Sequence, residues 1–312
     1  MARKKVSVIG AGNVGATVAQ EIAQQEIANV VLTDIIEGYP QGKALDLYEA
    51  APIGGYDARL TGTNALEDIE GSDIVVITAG FPRQPGMDRM DLLKKNTEIV
   101  GGVVDQIVKY APDSMILVVT NPLDVMTYLA YRKSGFGRKR VFGQAGVLDT
   151  ARFCAFIALE LDCSVKDVRA MVLGGHGDSM VPLKGHASVS GIPVQDLIPA
   201  DRLEALIERT RKGGGEIVSL LKKGSAYYAP GAAVGQMVGS ILRNERRIIP
   251  TCCWLEGEYG LSEVFAGVPA VLGSDGVEKV VELKLSDDEM AALEKSADAV
   301  KSGMADLDGI LG

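Results

Sequence analysis

Residues 6–15 read Val-Ser-Val-Ile-Gly-Ala-Gly-Asn-Val-Gly, an apolar strand that breaks into the spacing G-x-G-x-x-G and opens a helix. Gly10 permits the tight turn, Gly12 lets a pyrophosphate approach backbone N–H groups at the positive helix end, and Gly15 permits close packing of helix on strand. A glycine turn needed only for packing is the alternative, and the strand-to-helix context argues against it. The stretch therefore predicts a dinucleotide site lined by Gly10, Ala11, Gly12, Asn13, Val14 and Gly15.

Asp34 closes the next apolar run, 24 residues after Gly10. A carboxylate at this point can accept hydrogen bonds from the ribose hydroxyls of an adenosine. The same negative charge would repel the 2′-phosphate that distinguishes NADP from NAD. We therefore expect NAD as the cofactor.

Apolar runs alternate with helical patterns through about residue 145, and their near-continuous apolar character indicates strands that are covered on both faces. The alternation predicts an α/β protein with a doubly wound parallel sheet of the Rossmann type. The predicted strands are Val6–Ile9, Val30–Thr33, Ile74–Thr78, Ile116–Thr120 and Arg140–Gly143. We predict an NAD-binding domain over residues 1–144 and, because the alternation then becomes irregular, an α+β catalytic domain over residues 145–312.

The second half carries a less regular pattern. It predicts a helix ending near Leu161, strands near 168–173, 180–189, 248–255, 264–272 and 277–285, and helices near 201–222 and 227–243. A capping box at Ser286 to Glu289 marks the start of a terminal helix. We interpret Gly213-Gly214-Gly215, which follow a helical pattern, as an interruption of that helix.

The composition excludes several classes of function. A net charge of −9 makes nonspecific binding to nucleic acid or anionic membranes unfavourable, and no uninterrupted apolar stretch approaches the roughly 20 residues that span a bilayer. The N-terminus lacks an apolar signal core. The cysteines at positions 154, 163, 252 and 253 lack C-x-x-C spacing and, with two histidines in the chain, form no zinc pattern. We expect a cytoplasmic protein without metal, nucleic-acid or membrane partners.

His176 is one of only two histidines among 312 residues and lies in the sequence Gly-Gly-His-Gly-Asp at 174–178. A proton carrier on a glycine-rich turn, directly after the apolar run at 168–173, is placed to act as a base in a cleft. The alternative is a buried histidine that only satisfies a turn. The second histidine, His186, lies on a predicted strand and is assigned to structure.

Further motifs follow the strand ends of the predicted sheet, where open α/β sheets bind ligands. They read T-A-G-F-P-R-Q-P-G-M-D-R from Thr78 and T-N-P from Thr120, and L-D-T-A-R begins at Leu148. Together with the glycine loop, Asp34 and the histidine motif, they run in order over nearly the whole chain. In this the chain resembles the lactate/malate dehydrogenase superfamily, and more closely its malate dehydrogenase branch of the lactate-dehydrogenase-like type.

The resemblance implies roles for the polar residues. His176 would take the proton of a C2 hydroxyl, with Asp149 accepting a hydrogen bond from its other ring nitrogen and stabilising the imidazolium. Arg152 would bind the C1 carboxylate, Asn121 would hydrogen-bond the reacting oxygen, and Arg89 would polarise it. Further residues expected along the cofactor are Thr78, Ala79, Gly80, Asn96, Val119, Thr120 and Asn121.

Two positions in the resemblance bear on the substrate. Lactate dehydrogenases of the superfamily carry Gln at the position of Arg83, whereas its malate dehydrogenases carry Arg to meet a second carboxylate. Ala226 stands where lactate dehydrogenases have Thr, which leaves room for a longer substrate. The implied function is NAD-dependent interconversion of (S)-malate and oxaloacetate in the tricarboxylic acid cycle, by a homo-oligomer for which a tetramer is favoured and a dimer is possible.

Two other functions compete with this one. A lactate dehydrogenase is the nearer alternative, and Arg83 argues against it. The more distant alternative is a catalytically silent NAD-binding or scaffold protein on the same fold. A protein without catalytic activity would need none of the residues that the resemblance implies for catalysis. Their joint presence therefore favours an enzyme; they are His176, Asp149, Arg152, Arg89 and Asn121.

Overall fold

The computed structural model describes residues 3–81 and 89–312, the side chain of Arg89 excepted. The predicted substrate residue Arg83 therefore lies outside the described residues. The same holds for the side chain of Arg89, the second predicted substrate residue of this loop.

The first half alternates strands and helices. Its elements are β1 (Lys5–Ile9), α1 (Asn13–Gln24), β2 (Asn29–Thr33), α2 (Tyr39–Glu49), α3 (Ala51–Gly54), β3 (Leu60–Thr63), β4 (Ile74–Ile77), α4 (Arg89–Tyr110), β5 (Met115–Val118), α5 (Leu123–Ser134) and β6 (Val141–Gly143). The second half comprises α6 (Gly146–Leu161), β7 (Val168–Arg169), β8 (Val172–Leu173), β9 (Val181–Pro182), β10 (Ser188–Val189), β11 (Ile192–Pro193), α7 (Val194–Leu197), α8 (Ala200–Leu221), α9 (Tyr228–Leu242), β12 (Arg247–Glu256), β13 (Ser262–Gly273), β14 (Gly276–Val280) and α10 (Asp287–Leu311).

The main sheet has nine strands among the described residues, in the order β14-β13-β12-β6-β5-β4-β1-β2-β3. Strands β1 to β6 are parallel, and their order 3-2-1-4-5-6 reverses between β1 and β4, where dinucleotide-binding folds hold their ligand. The predicted Rossmann sheet is confirmed. Strands β12, β13 and β14 continue it in antiparallel fashion from β6, so the second half is built onto the first.

The parallel strands are buried as their apolar sequences predict. All four residues of β4 are inaccessible to solvent, because helices cover both faces of a parallel sheet. Helix α1 packs against α9 and α4 against α5, and Gly231 permits the first of these contacts, since a Cβ there would collide with Thr17. No helix in the described ranges is both long and apolar enough to cross a membrane.

The capping box of the terminal helix is confirmed. The Ser286 hydroxyl accepts a hydrogen bond from the backbone N–H of Glu289, and the Glu289 carboxylate accepts one from the backbone N–H of Ser286. These bonds satisfy donors that the first turn of a helix otherwise leaves unpaired. They define the start of α10, which carries Ser296 to the site described below.

Several sequence predictions for the second half are wrong in detail. The predicted strand at 180–189 consists of β9 and β10 separated by a 3₁₀ helix at Lys184–His186, because Pro182 and Gly185 interrupt the strand pattern. His186 therefore lies on a 3₁₀ turn. The strand predicted at 277–285 ends at Val280, and the short edge strand β3 was not predicted.

The interpretation of Gly213-Gly214-Gly215 as a helix interruption is also wrong. Helix α8 continues through all three glycines from Ala200 to Leu221. Glycine weakens a helix by roughly 1 kcal/mol per residue relative to alanine, and packing of α8 on α6 overrides that preference.

Candidate active site

The glycine loop forms a cradle at the end of β1. Gly10 has φ +107°, and a Cβ on Gly15 would collide with the Gly10 carbonyl, so both positions require glycine. The Thr78 hydroxyl of the neighbouring strand end donates to that carbonyl at 2.9 Å. Gly12 precedes α1 with no side-chain cap, and a Cβ there would meet nothing within 4 Å. Open space over uncapped N–H groups is what a dinucleotide pyrophosphate requires.

Asp34 lies beside this cradle. One carboxylate oxygen accepts the backbone N–H of Ala11 at 2.7 Å, and the other accepts the N–H of Ile36 at 3.1 Å. The two bonds fix the side chain next to the loop while it remains half-exposed. The cradle and this carboxylate together fit the pyrophosphate and ribose of a dinucleotide.

The ends of β4 and β5 form the other wall. The Thr120 hydroxyl donates to the Ala79 carbonyl at 2.7 Å, and a Cβ on Gly80 would collide with the Thr120 methyl. The Asn96 amide, 1% exposed, accepts from the Phe81 N–H at 2.6 Å and donates to the Asn121 carbonyl at 2.6 Å. Asn96 thus joins the two strand ends. Its direct contact with a cofactor stays a prediction, as does that of the neighbouring residue Val119.

The histidine loop is held by three elements through consecutive backbone groups. Gly174 exchanges backbone hydrogen bonds with Gly267 of β13 at 2.8 and 3.0 Å. The Gly175 N–H donates to the Ser296 hydroxyl of α10 at 2.8 Å. The His176 N–H donates to the Asp124 carboxylate of α5 at 2.9 Å. The position of His176 therefore depends on packing among β13, α10 and α5.

The structure brings His176, Asp149 and Arg152 together as predicted. The His176 Nδ1 lies 2.9 Å from one oxygen of the Asp149 carboxylate, and the Arg152 guanidinium donates to the other at 3.0 Å. The Asp149 side chain is 2% exposed. The buried carboxylate is thereby paired with Arg152 and hydrogen-bonded to His176, as a buried anion requires.

The electrostatics favour a protonated imidazole at His176. Burial alone would lower the pKa of His176, but the charge and hydrogen bond of Asp149, with a contribution from Asp124, leave that pKa above its ordinary value of 6.5. Arg152 opposes this effect. The ring therefore binds its proton more tightly than a free histidine does, as suits a group that returns a proton to a substrate.

Sequence reasoning missed Asp124. Burial raises the pKa of its carboxyl group, and hydrogen bonds from the His176 backbone and the Cys252 thiol, the latter at 3.3 Å, act against that rise. The available signal was a carboxylate two residues after Pro122, inside the apolar first turns of α5. Its partners lie 52 and 128 residues away in sequence, so only the folded chain reveals its place.

The remaining predicted residues are less closely tied to this cluster. Asn121 is exposed at the end of β5, and Ala226 is half-buried in the connection between α8 and α9. The Arg152 Nε is buried and has no hydrogen-bond partner among the described residues. The residues described contain no group of three or more His, Cys, Asp or Glu arranged to hold a metal.

A dinucleotide cradle at the switch point of a doubly wound sheet, joined to a buried His–Asp–Arg cluster, defines a dinucleotide-dependent oxidoreductase. Comparison with known proteins agrees. Residues 4–143 match the family described as lactate/malate dehydrogenase, NAD binding domain, and residues 146–308 match its alpha/beta C-terminal domain. The chain belongs to the lactate/malate dehydrogenase family, and the predicted family, oxidoreductase class and cofactor NAD are confirmed.

Relatives within the family carry two activities in their names. A malate dehydrogenase of Bacillus subtilis is 57% identical over 97% of this chain and 97% of its own length. The structure of malate dehydrogenase from Salinibacter ruber is 55% identical, with a TM-score of 0.94 over 98% of both chains. A Cryptosporidium parvum lactate dehydrogenase, complexed with lactic acid and NAD, is 39% identical, with a TM-score of 0.95 over 99% of both chains. The fold alone therefore does not select the substrate.

The cluster predicts how His176 titrates. In NMR spectra of protein with labelled histidine, the pKa of His176 should lie above 6.5, and Asp149→Asn should lower it because the anionic partner is lost. With two histidines in the chain, absence of one signal in His176→Asn assigns the resonances. The His186 signal is the internal control and should not change. A His176 pKa that is unaltered by Asp149→Asn would contradict the electrostatic account.

Proposed function

We propose that this chain is an NAD-dependent enzyme that interconverts (S)-malate and oxaloacetate in the tricarboxylic acid cycle. The observation that carries the proposal is the Asp149 carboxylate, which holds the His176 ring and the Arg152 guanidinium at the same time. A proton carrier and a carboxylate-binding group on one anion are what a 2-hydroxy acid requires. Relatives named malate dehydrogenase at 52–57% identity over nearly the full chain support this substrate class.

In this proposal His176 moves the proton. Its Nδ1–H donates to Asp149, which leaves Nε2 to accept the proton of the C2 hydroxyl. NAD, when bound, supplies the hydride acceptor. Asp149 fixes the tautomer of the ring and stabilises the imidazolium that forms as the hydroxyl becomes a carbonyl, and in reduction the same imidazolium returns the proton.

Arg152 and Asn121 orient the substrate. One Arg152 nitrogen is committed to Asp149, and the rest of the planar guanidinium can bind the C1 carboxylate through paired hydrogen bonds. The exposed Asn121 amide would hydrogen-bond the reacting oxygen, and Arg89 would polarise it. The glycine loop at 10–15, Asp34 and the ends of β4 and β5 would bind NAD.

Arg83 and Ala226 would select the dicarboxylate. With a monocarboxylate bound, Arg83 would be enclosed without a partner, and an uncompensated buried charge costs about 3–5 kcal/mol. A difference of that size corresponds to discrimination of a few hundred-fold or more. Ala226 would leave room for the longer substrate.

The proposal includes a cytoplasmic homo-oligomer, with a tetramer favoured over a dimer. The four cysteines are free of disulfide bonds, which fits a reducing compartment.

The deciding experiment follows NADH absorbance with oxaloacetate, with pyruvate and without substrate. Oxaloacetate should be reduced hundreds-fold more efficiently than pyruvate, and NADH alone should be stable. His176→Asn should bind NADH as the wild type does while turnover falls by orders of magnitude, because the placed base is lost. Preferential reduction of pyruvate would establish a lactate dehydrogenase. Absence of turnover with either substrate would establish a silent NAD-binding protein.

The two loop arginines should differ in their effects. Arg83→Gln should weaken oxaloacetate reduction and improve pyruvate reduction, so that the ratio of the two kcat/KM values moves by roughly two orders of magnitude or more. Arg89→Gln should lower kcat for both substrates and leave the ratio nearly unchanged. Steady-state kinetics on both substrates measure this, with Arg89→Gln as the matched control. If Arg89→Gln shifts the preference and Arg83→Gln does not, the two roles are interchanged.

A further inference from the structure

We propose that Gly213 is a positioning residue for the substrate-binding Arg152, and that Gly214 assists it. Both lie on α8, where they leave the space through which the Arg152 side chain passes along the helix backbone. The proposal rests on the proposed function of Arg152 as the carboxylate-binding group. It assigns a function to a glycine run that the folding preferences of the sequence do not explain.

The glycine run works against the helix that contains it. Residues 213–215 lie inside α8, which extends from Ala200 to Leu221. Glycine in a helix interior is less favourable than alanine, because it loses more conformational freedom on folding. Helix geometry would therefore be served better by alanine at all three positions, and the reason for glycine must be sought in what packs against each one.

The three positions differ in their surroundings. A Cβ on Gly213 would lie 3.2 Å from the Arg152 Cδ and 3.7 Å from its Nε. A Cβ on Gly214 would lie 3.6 Å from one terminal guanidinium nitrogen and 3.9 Å from the other, which are ordinary van der Waals distances. A Cβ on Gly215 would meet nothing within 4 Å. The run thus contains one position that is tighter than an ordinary Cβ contact, one in ordinary contact and one free.

Arg152 cannot yield to a methyl group without losing its alignment. Its side chain is 13% exposed, and one guanidinium nitrogen is bound to Asp149 at 3.0 Å. Asp149 is itself fixed by His176. A methyl group that pushes Cδ by a few tenths of an ångström would therefore tilt the remaining nitrogens about this anchored end. The donors displaced are those guanidinium N–H groups that are not committed to Asp149 and that the C1 carboxylate would need.

A displacement of this kind affects substrate binding. Paired hydrogen bonds between a guanidinium and a carboxylate depend on planar alignment. Misplacement by about 1 Å can cost about a hundredfold in rate, so a shift of a few tenths of an ångström should cost roughly tenfold or less. The anchored Asp149–His176 pair would remain in place. The geometry therefore predicts a defect in substrate binding while the proton-transfer pair stays intact.

The test compares Gly213→Ala with Gly215→Ala, the same substitution two residues along one helix. Gly213→Ala should raise KM for oxaloacetate several-fold to about tenfold with a smaller change in kcat, and should leave the NADH dissociation constant and the His176 pKa unchanged. Gly215→Ala should keep wild-type kinetics and unfold in urea at the same concentration or higher. Equal KM in Gly213→Ala and wild type, or an equal rise in both variants, would overturn the proposal.

A double-mutant cycle separates positioning from general helix packing. Arg152→Ala removes the Cδ and Nε atoms that the new methyl group would meet, so adding Gly213→Ala to it should change kcat/KM little compared with the effect in the wild-type background. Additive effects would show that the methyl group acts without the Arg152 side chain and would overturn the proposal. If Gly213→Ala does not fold, Gly214→Ala supplies the test, and its KM for oxaloacetate should rise by a smaller factor. An unchanged KM in Gly214→Ala would then overturn the proposal.

The outcome can be told apart from failure of the proposed function. Calorimetric binding of hydroxymalonate, a 2-hydroxy dicarboxylate, to the enzyme–NAD complex requires no turnover. Wild-type protein that binds hydroxymalonate but does not reduce oxaloacetate would refute the proposed reaction. The role of Gly213 would then be tested by comparing the hydroxymalonate dissociation constants of Gly213→Ala and wild type. Hydroxymalonate affinity that is the same in Gly213→Ala and wild type would refute the positioning role even if the enzyme is active.

Discussion

The buried Asp149 carboxylate is the interaction on which the site depends. It is 2% exposed and binds the His176 ring with one oxygen and the Arg152 guanidinium with the other. An unpaired anion at this depth would cost several kcal/mol, so Asp149 holds the Arg152 guanidinium whether or not the His176 ring carries its second proton. The anion sets the proton affinity of His176 and the direction of the Arg152 donors together. Acid–base chemistry and substrate orientation are therefore coupled through one side chain.

The fold assembles the site around this carboxylate by joining parallel and antiparallel strands in one sheet. Parallel strands β1 to β6 place the cofactor cradle at the reversal of strand order, and antiparallel strands β12 and β13 extend the same sheet. Gly267 of β13 then pairs with Gly174 and holds the histidine loop. Asp124, on the helix that follows β5, receives the His176 backbone N–H. Cofactor cradle and proton carrier are thus fixed to one rigid framework, which suits a reaction that requires accurate alignment.

The sequence predicted those features whose physical cause is local. The turn at Gly10, the carboxylate of Asp34 and the cap at Ser286 follow from the conformation and hydrogen bonding of a few adjacent residues. His176 was found because histidine is scarce in this chain. The family resemblance added the pairing with Asp149, which spacing alone does not reveal.

Features that depend on distant contacts were not predicted. Asp124 acts through partners far away in sequence. Strand β3 was missed because its sequence, Leu-Thr-Gly-Thr, has a single buried residue, as suits the edge of the sheet. The glycine run at 213–215 was misread because helix propensity is a weak guide where tertiary packing decides. The same packing gives that run its connection with Arg152.

The most direct test of the central claim is the pH dependence of kcat/KM in both directions. If Asp149 sets the proton affinity of His176, then as the pH rises kcat/KM for oxaloacetate reduction should fall and kcat/KM for malate oxidation should rise, and Asp149→Asn should move both transitions to lower pH. Reduction needs the protonated ring and oxidation needs the neutral one. The account would be contradicted if kcat/KM changed in the same way with pH for reduction and for oxidation. It would also be contradicted if the inflection persisted in His176→Asn.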